Sequence, residues 1–311
     1  MRFRRGELST QQIVVLIIVI LSFAVIIFFF FRLDLGGESE KQVCHDSVMR
    51  RASLIKTSGD TLGDAISLSC KRDYVCITKS GDCDLLDARK ERVETKNETY
   101  KILAEEMTSC WWMFGEGRVD YIGKTESKEN RCSVCSQISF DESIKDIPEF
   151  SSGTLDKDDF YEYLANTEYS SKETYLRYLF RTSDLESLKK VSVEGQIIEG
   201  SFGKLNLDEQ YFISMGITTE INSGWKIVQG LAVGLGVISL AIPGVNVATS
   251  VLIFGVGGAA FITEKILEDQ KVEIGAIVVE GEGVQNSFMA PTIVAPSNYS
   301  SLNCKSIETL S

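Results

Sequence analysis

Residues 13–31 read IVVLIIVILSFAVIIFFFF, nineteen positions without a charge and with Ser22 as the one polar side chain. A helix rising about 1.5 Å per residue over that length matches the roughly 30 Å hydrocarbon core of a bilayer, where the backbone finds hydrogen-bond partners only within itself. The stretch therefore predicts a transmembrane helix and divides the chain in two. Arg2, Arg4 and Arg5 precede it with Glu7 alone against them, whereas Arg32 is followed by Asp34, Glu38 and Glu40. The bias of cationic loops toward the cytoplasm then predicts a cytoplasmic N-terminus over 1–12, a span over 13–31, a tether over 32–42 and an extracytoplasmic remainder. The lipid bilayer is the first expected partner.

All eight cysteines, Cys44, Cys70, Cys76, Cys83, Cys110, Cys132, Cys135 and Cys304, follow the apolar run. An even number on that side predicts disulfides formed in an oxidising compartment, with on the order of a hundred pairings open. Cys44, Cys70, Cys76 and Cys83 are close enough in sequence to pair among themselves. Cys304 is then expected to join Cys110, Cys132 or Cys135. Two glycosylation sequons, Asn97-Glu98-Thr99 and Asn298-Tyr299-Ser300, lie on the same side and mark the protein as a candidate glycoprotein. Beyond Arg32 the chain holds 28 Lys and Arg against 43 Asp and Glu, a net charge of −15. Such a surface repels phosphate backbones, so nucleic acid is excluded as a partner.

Ahead of the apolar run stands Arg5-Gly6-Glu7-Leu8-Ser9-Thr10-Gln11. This junction resembles archaeal type IV pilin-like precursors, in which a basic leader and a glycine precede Gln-x-Ser-x-Glu and the hydrophobic helix. The resemblance implies Gly6 as the last leader residue and Ser9 as a matching position, with Glu7 and Gln11 exchanging the amide and carboxylate places. The preferred reading is nevertheless an uncleaved signal anchor with a basic flank, since Phe31-Arg32-Leu33-Asp34 offers no small-residue cleavage site. Further on, Cys110-Trp-Trp-Met-Phe-Gly-Glu-Gly117 and Cys132-Ser-Val-Cys135 resemble segments of uncharacterised archaeal membrane-anchored proteins. That resemblance implies no activity.

A mainly helical, Cys-rich region is expected over 43–140. Val43 to Lys56 predicts a helix carrying His45, the one histidine, which excludes triads and zinc sites built from several imidazoles and reads as structural or surface. Ser69 to Thr78 reads as a strand or hairpin. Leu85 to Phe114 predicts a long helix, because Val93, Tyr100, Leu103, Met107, Cys110, Trp111 and Phe114 recur on one face, opposite a solvated charge run from Arg89 to Lys96. Trp111 and Trp112 read as a core plug or a docking patch. Cys132-x-x-Cys135 has the spacing of a redox pair, but a polar loop precedes it and a strand-like pattern follows, so a structural disulfide is expected over thioredoxin-like or zinc chemistry.

An α+β region is expected over 141–311. Asp156-Lys-Asp158-Asp159 reads as an acid-rich helix start rather than a calcium loop. Ser170-x-x-Glu173 and Ser183-x-x-Glu186 predict capped helices near 171–180 and 184–190. The five tyrosines from Tyr161 to Tyr178 read as core, with a sugar-stacking face as the alternative. Val191 to Ile197, Tyr211 to Ile221 and Val272 to Glu280 read as strands. The insert 227–262 has no charged residue and a Pro243-Gly244 break between two apolar arms. Its small residues, Gly230, Gly234, Gly236, Gly255, Gly257 and Gly258, suit close helix approach. It reads as a helical hairpin entering the membrane, as a buried helical pair, or as a single kinked crossing.

These readings together predict an α+β protein: an N-terminal transmembrane helix and a disulfide-braced ectodomain bearing a glycine-rich hydrophobic helical hairpin. No GxSxG, HExxH, P-loop or GxGxxG signature occurs, and the Gly-Glu-Gly repeats at 115–117 and 281–283 read as turns. No catalytic residue, cofactor or metal is predicted. The expected role is structural, or an interaction with a protein partner or a second copy at the cell surface. The alternatives are a membrane-active pore or fusion element using 227–262, and an extracellular enzyme of unknown class.

Overall fold

The computed structural model describes residues 10–32, 36–58, 66–83, 87–123, 130–193, 196–218, 235–241, 272–302 and 304–309, with only the backbone described for 10–13, 26–32, 36–39, 191–193, 196–198, 235–241, 272–273 and 301. The chain forms two compact units, Met1–Glu40 and Lys41–Ser311. Helix α1, Thr10–Arg32, carries the apolar run. Its described side chains, those of residues 14–25, give no stretch long and apolar enough to cross a membrane among the described residues, so the span expected over 13–31 rests on sequence. Helix α2 is Gly36–Ser58.

The second unit is α+β and contains four disulfides. In chain order it holds β1 (Asp73–Thr78), β2 (Arg89–Arg92), α3 (Lys96–Met113), β3 (Asn130–Phe140), β4 (Thr154–Asp156), α4 (Lys157–Asn166), β5 (Glu168–Ser170), β6 (Glu173–Thr174), α5 (Tyr175–Phe180), α6 (Leu185–Lys189) and β7 (Lys190–Val193). There follow β8 (Gln196–Ser201), β9 (Lys204–Asn206), β10 (Tyr211–Thr218), β11 (Leu235–Ala241), β12 (Val272–Glu280), β13 (Ser287–Val294) and β14 (Ser306–Ile307). Among the described residues a mixed sheet runs β2-β1-β3-β10-β13-β12-β8-β7, with β11 added to β12 and β14 to β3.

The middle of this sheet is buried on both faces, and the sequence of β12 shows why. Ile277 and Val279 face the main core with α3, whereas Ala276 and Val278 face a smaller cluster with Cys132, Met289 and Leu302. Alternate side chains point to opposite faces, so a strand covered on both reads as a continuous apolar run. Helix α3 packs on β3, β10 and β13 through Leu103, Met107 and Trp111. The Trp111 ring meets Phe288 edge-on at 6.1 Å.

Two expectations are corrected. The helix expected from Leu85 begins only at Lys96, because Thr95 and Glu98 form a capping box: the Glu98 amide donates to Thr95 Oγ1 at 3.2 Å, and the Thr95 amide to Glu98 Oε2 at 3.2 Å. The charge run before it is instead strand β2, whose Arg-Lys-Glu-Arg composition suits an exposed sheet edge. The second correction concerns the insert. Its described part, Leu235–Ala241, is no helix arm but a strand antiparallel to β12, with Gly236 opposite Val278 and Val237 opposite Ile277. Glycine is costly inside a helix and Val-Ile favours a pleated backbone, so the local sequence suits the strand. Gly230, Gly234, Pro243, Gly244, Gly255, Gly257 and Gly258 lie outside the described residues.

Smaller differences follow the same local rules. Ser170 lies in β5 rather than at a helix start, and α5 is capped by Thr174, whose hydroxyl accepts from the Arg177 amide at 3.4 Å. Asp184, not Ser183, caps α6. Asp156 caps α4 by accepting from the Asp158 amide at 2.9 Å, as an acid-rich helix start should.

Candidate functional site

The two Gly-Glu-Gly repeats, far apart in sequence, meet in space. The first follows the C-terminus of α3, where the chain turns back at Gly115–Gly117; the second is the turn between β12 and β13. They are joined by a hydrogen bond from the Glu282 amide to the Gly117 carbonyl at 2.9 Å. Glycine is required at both: a Cβ on Gly117, at φ +68°, would lie 3.0 Å from the Trp111 ring, and one on Gly281 would lie 2.6 Å from the Asn286 carbonyl oxygen.

Among the described residues the only non-glycine positions with positive φ are Glu116, at 56°, and Arg181, at 57°, and both line one cavity here. Left-handed backbone at such residues costs about 1–2 kcal/mol and persists where neighbours over-determine it. Here they do. The Tyr178 hydroxyl donates to Glu116 Oε1 at 2.6 Å, and Arg118 Nη1 donates to Glu116 Oε2 at 2.6 Å and, through Nε, to Glu282 Oε2 at 3.0 Å. Arg181 donates to the carbonyls of Glu116 at 3.0 Å, Gly117 at 3.3 Å and Glu280.

The electrostatics follow these contacts. Burial, and then the bond to Glu116, drive the Tyr178 hydroxyl well above its ordinary pKa. The bond to Arg118 holds Glu282 below the usual carboxylate range, and desolvation lowers Arg181. The cavity encloses about 650 Å³ and is bordered by Glu116, Glu173, Glu280 and Glu282 against Arg118, Arg177 and Arg181. Charges so nearly balanced suit hydrogen bonding with polar, uncharged groups better than capture of a simple ion. Sequence reasoning took the two repeats as turns, which they are, but missed Arg118, Tyr178 and Arg181. The one legible signal was the repetition of Gly-Glu-Gly itself.

The remaining candidate residues lie elsewhere. The cysteines pair as Cys44–Cys70, Cys76–Cys83, Cys110–Cys135 and Cys132–Cys304. Cys132 and Cys135 therefore sit on strand β3 with different partners, not at a helix N-terminus as a redox pair. His45 is half-buried, stacked on Trp112 at 4.2 Å, with Nδ1 2.8 Å from the Trp112 carbonyl oxygen. Trp111 is core, and His45 covers its neighbour. Tyr161 and Tyr175 are buried, while Tyr169 is exposed and stacks on Tyr178 at 4.3 Å, beside the cavity. Asn97 and Asn298 are exposed. Among the described residues no group of three or more His, Cys, Asp or Glu side chains is arranged to hold a metal ion.

No protein-family model, no curated protein and no solved structure matches this chain.

Proposed function

We propose that the protein is a single-pass, membrane-anchored extracytoplasmic protein whose disulfide-braced α+β domain has an interaction role at the cell surface. The observation that carries this reading is the pairing of all eight cysteines, every one of them C-terminal to the apolar helix, into four disulfides. Structural disulfides persist in oxidising compartments and are rare in the cytosol. Support for the anchor comes from 23 residues of continuous helix over the apolar run, about 35 Å at 1.5 Å per residue, with its cationic flank on the N-terminal side. The cavity between the two Gly-Glu-Gly turns, held by its own hydrogen-bond network, is a preorganised surface for a ligand. The pore or fusion alternative draws no support from Leu235–Ala241, a strand where it needs a helix arm.

An epitope fused after Ser311 tests the topology. In intact cells the epitope should be open to antibody and to added protease. Protection until the membrane is broken would refute the proposal. Peptide mapping without reductant should return the four cystine peptides from the same cells.

A further inference from the structure

A second cavity of about 530 Å³ lies on the other side of the β12–β13 turn, between that turn and α2. Its size falls within the range of about 300–1,000 Å³ usual for small-ligand sites. Asn286 lines it and is only 4% exposed, yet its carboxamide makes no hydrogen bond among the described residues. Its backbone has a separate task, for the carbonyl accepts from the Gly281 amide at 2.9 Å. A carboxamide offers two donors and an acceptor with two lone pairs, and here none of them is taken up by the described residues around it, so they remain available to whatever occupies the cavity. The carboxamide is accounted for when something entering the cavity supplies its partners.

We propose that this cavity binds an uncharged apolar peptide segment, which pairs one backbone amide with the Asn286 carboxamide and seats an aliphatic side chain on Met49, Ala52, Ile55, Val119 and Val284. A peptide CO–NH presents one acceptor and one donor, the complement of the edge a carboxamide offers. Two of the three charges at the rim are already answered. Arg118 is bonded to Glu116 and Glu282, and Asp120 accepts from the amides of Ile122 at 3.1 Å and Gly123 at 2.9 Å, while Lys56 stands opposite in sign to Asp120. Lys56 is exposed to water at the rim, so the charge it brings is a solvated one. Met49, Ala52 and Ile55 recur every three residues along α2, giving an aliphatic strip on one helix face. An acetamido sugar could also offer an amide, but its hydroxyls would meet this strip without partners.

This cavity shares only Arg118 with the one between the two Gly-Glu-Gly turns, and binding there is independent of which side of a membrane the domain lies. Titration of the full chain in lipid nanodiscs with the blocked peptide N-acetyl-Val-Leu-Ala-amide, followed by calorimetry, tests it, with N-acetylglucosamine as the competing probe. Saturable binding of the peptide is expected. Asn286→Leu should weaken it by about tenfold or more, equivalent to about 1.4 kcal/mol. Because the carboxamide has no protein partner to lose, the same variant should keep its unfolding temperature within about 2 °C. That combination separates ligand recognition from a structural role. Ser53→Trp, at an exposed position on the cavity wall, should block binding and decides the matter if Asn286→Leu folds poorly. Failure of the peptide to bind at about 10 mM, a dissociation constant worth under 3 kcal/mol, would overturn the proposal. So would preference for the sugar, or unchanged affinity in Ser53→Trp.

Discussion

Removing Cys132–Cys304 should destabilise the fold far more than removing Cys76–Cys83, although the two bonds are similarly placed. In each, one cysteine is fully buried and the other half-buried, so replacing both members by alanine removes comparable packing. The difference is the chain each bond closes: 172 residues of separation in the first and 7 in the second. In the loop-entropy description these constrain the unfolded chain by about 5 and about 2 kcal/mol. The C-terminal segment keeps other ties, since β14 pairs with Arg131 and Cys132, Glu308 meets Arg51 and Arg131, and Thr309 accepts from the Val134 amide at 3.1 Å. The folded state therefore stays intact while the unfolded state gains freedom. Urea unfolding without reductant should show Cys132→Ala/Cys304→Ala losing about 3 kcal/mol more than Cys76→Ala/Cys83→Ala, with a larger m-value from a more expanded unfolded ensemble. In thermal unfolding the long-loop variant should melt roughly 10 °C or more below the parent. Equal losses in the two variants would show that local packing, rather than loop closure, governs these bonds, and the argument would fail.

Three further outcomes follow from described contacts. Gly281→Ala, whose methyl would meet the Asn286 carbonyl oxygen at 2.6 Å, should cost more than about 2 kcal/mol, whereas Gly283→Ala, with nothing within 4 Å, should cost only the roughly 1–2 kcal/mol of its positive φ; chemical denaturation of both checks the contrast. Tyr178→Phe should lose about 1–2 kcal/mol in the same assay, because Glu116 keeps Arg118 when the hydroxyl is gone; a loss near zero would mean that the bond does not hold the turn. Burial, and then the charge of Glu106, raise the Asp73 carboxyl above the ordinary 3.8 against the opposing pull of Arg89 and Lys41. The folded protein thus holds this proton more tightly than the unfolded one, so the contribution of Asp73 is greatest below pH 3.8 and falls as pH rises through the folded value. Asp73→Asn should consequently be neutral or stabilising at pH 7, and a marked loss of thermal stability there would contradict the assignment.

Much of the local structure could be read from residue pattern. The acid-rich start at Asp156, the strand from Val272 to Glu280 and the helix through His45 all carry short-range signals that the fold did not override. The start of α3 was legible too, in Thr95-Lys-Asn-Glu98, but the apolar residue Val93 fell in phase with the helix and hid it. In the structure the Val93 amide instead donates to the Thr78 carbonyl at 2.9 Å, extending the strand pairing of β2 with β1. What no local pattern carries is sheet order. Nothing in Gly115–Gly117 or Gly281–Gly283 announces that α3 packing on β13 will bring the two turns together, so the cavity they frame was invisible. Asn286 was equally silent, since an asparagine after a glycine turn reads as one more loop residue until its burial is known.

The covalent path also changes what a single cut in the chain can do. With Cys132 tied to Cys304, any one backbone cleavage between 133 and 303 leaves both fragments joined, and the Cys110–Cys135 bond fastens the same strand to the end of α3. A nicked molecule would keep every strand from β4 to β13 attached to β3, next to its partners and able to re-pair. That turns cleavage in a surface loop from loss of the C-terminal half into a change in connectivity alone, an advantage under the extracytoplasmic location proposed above.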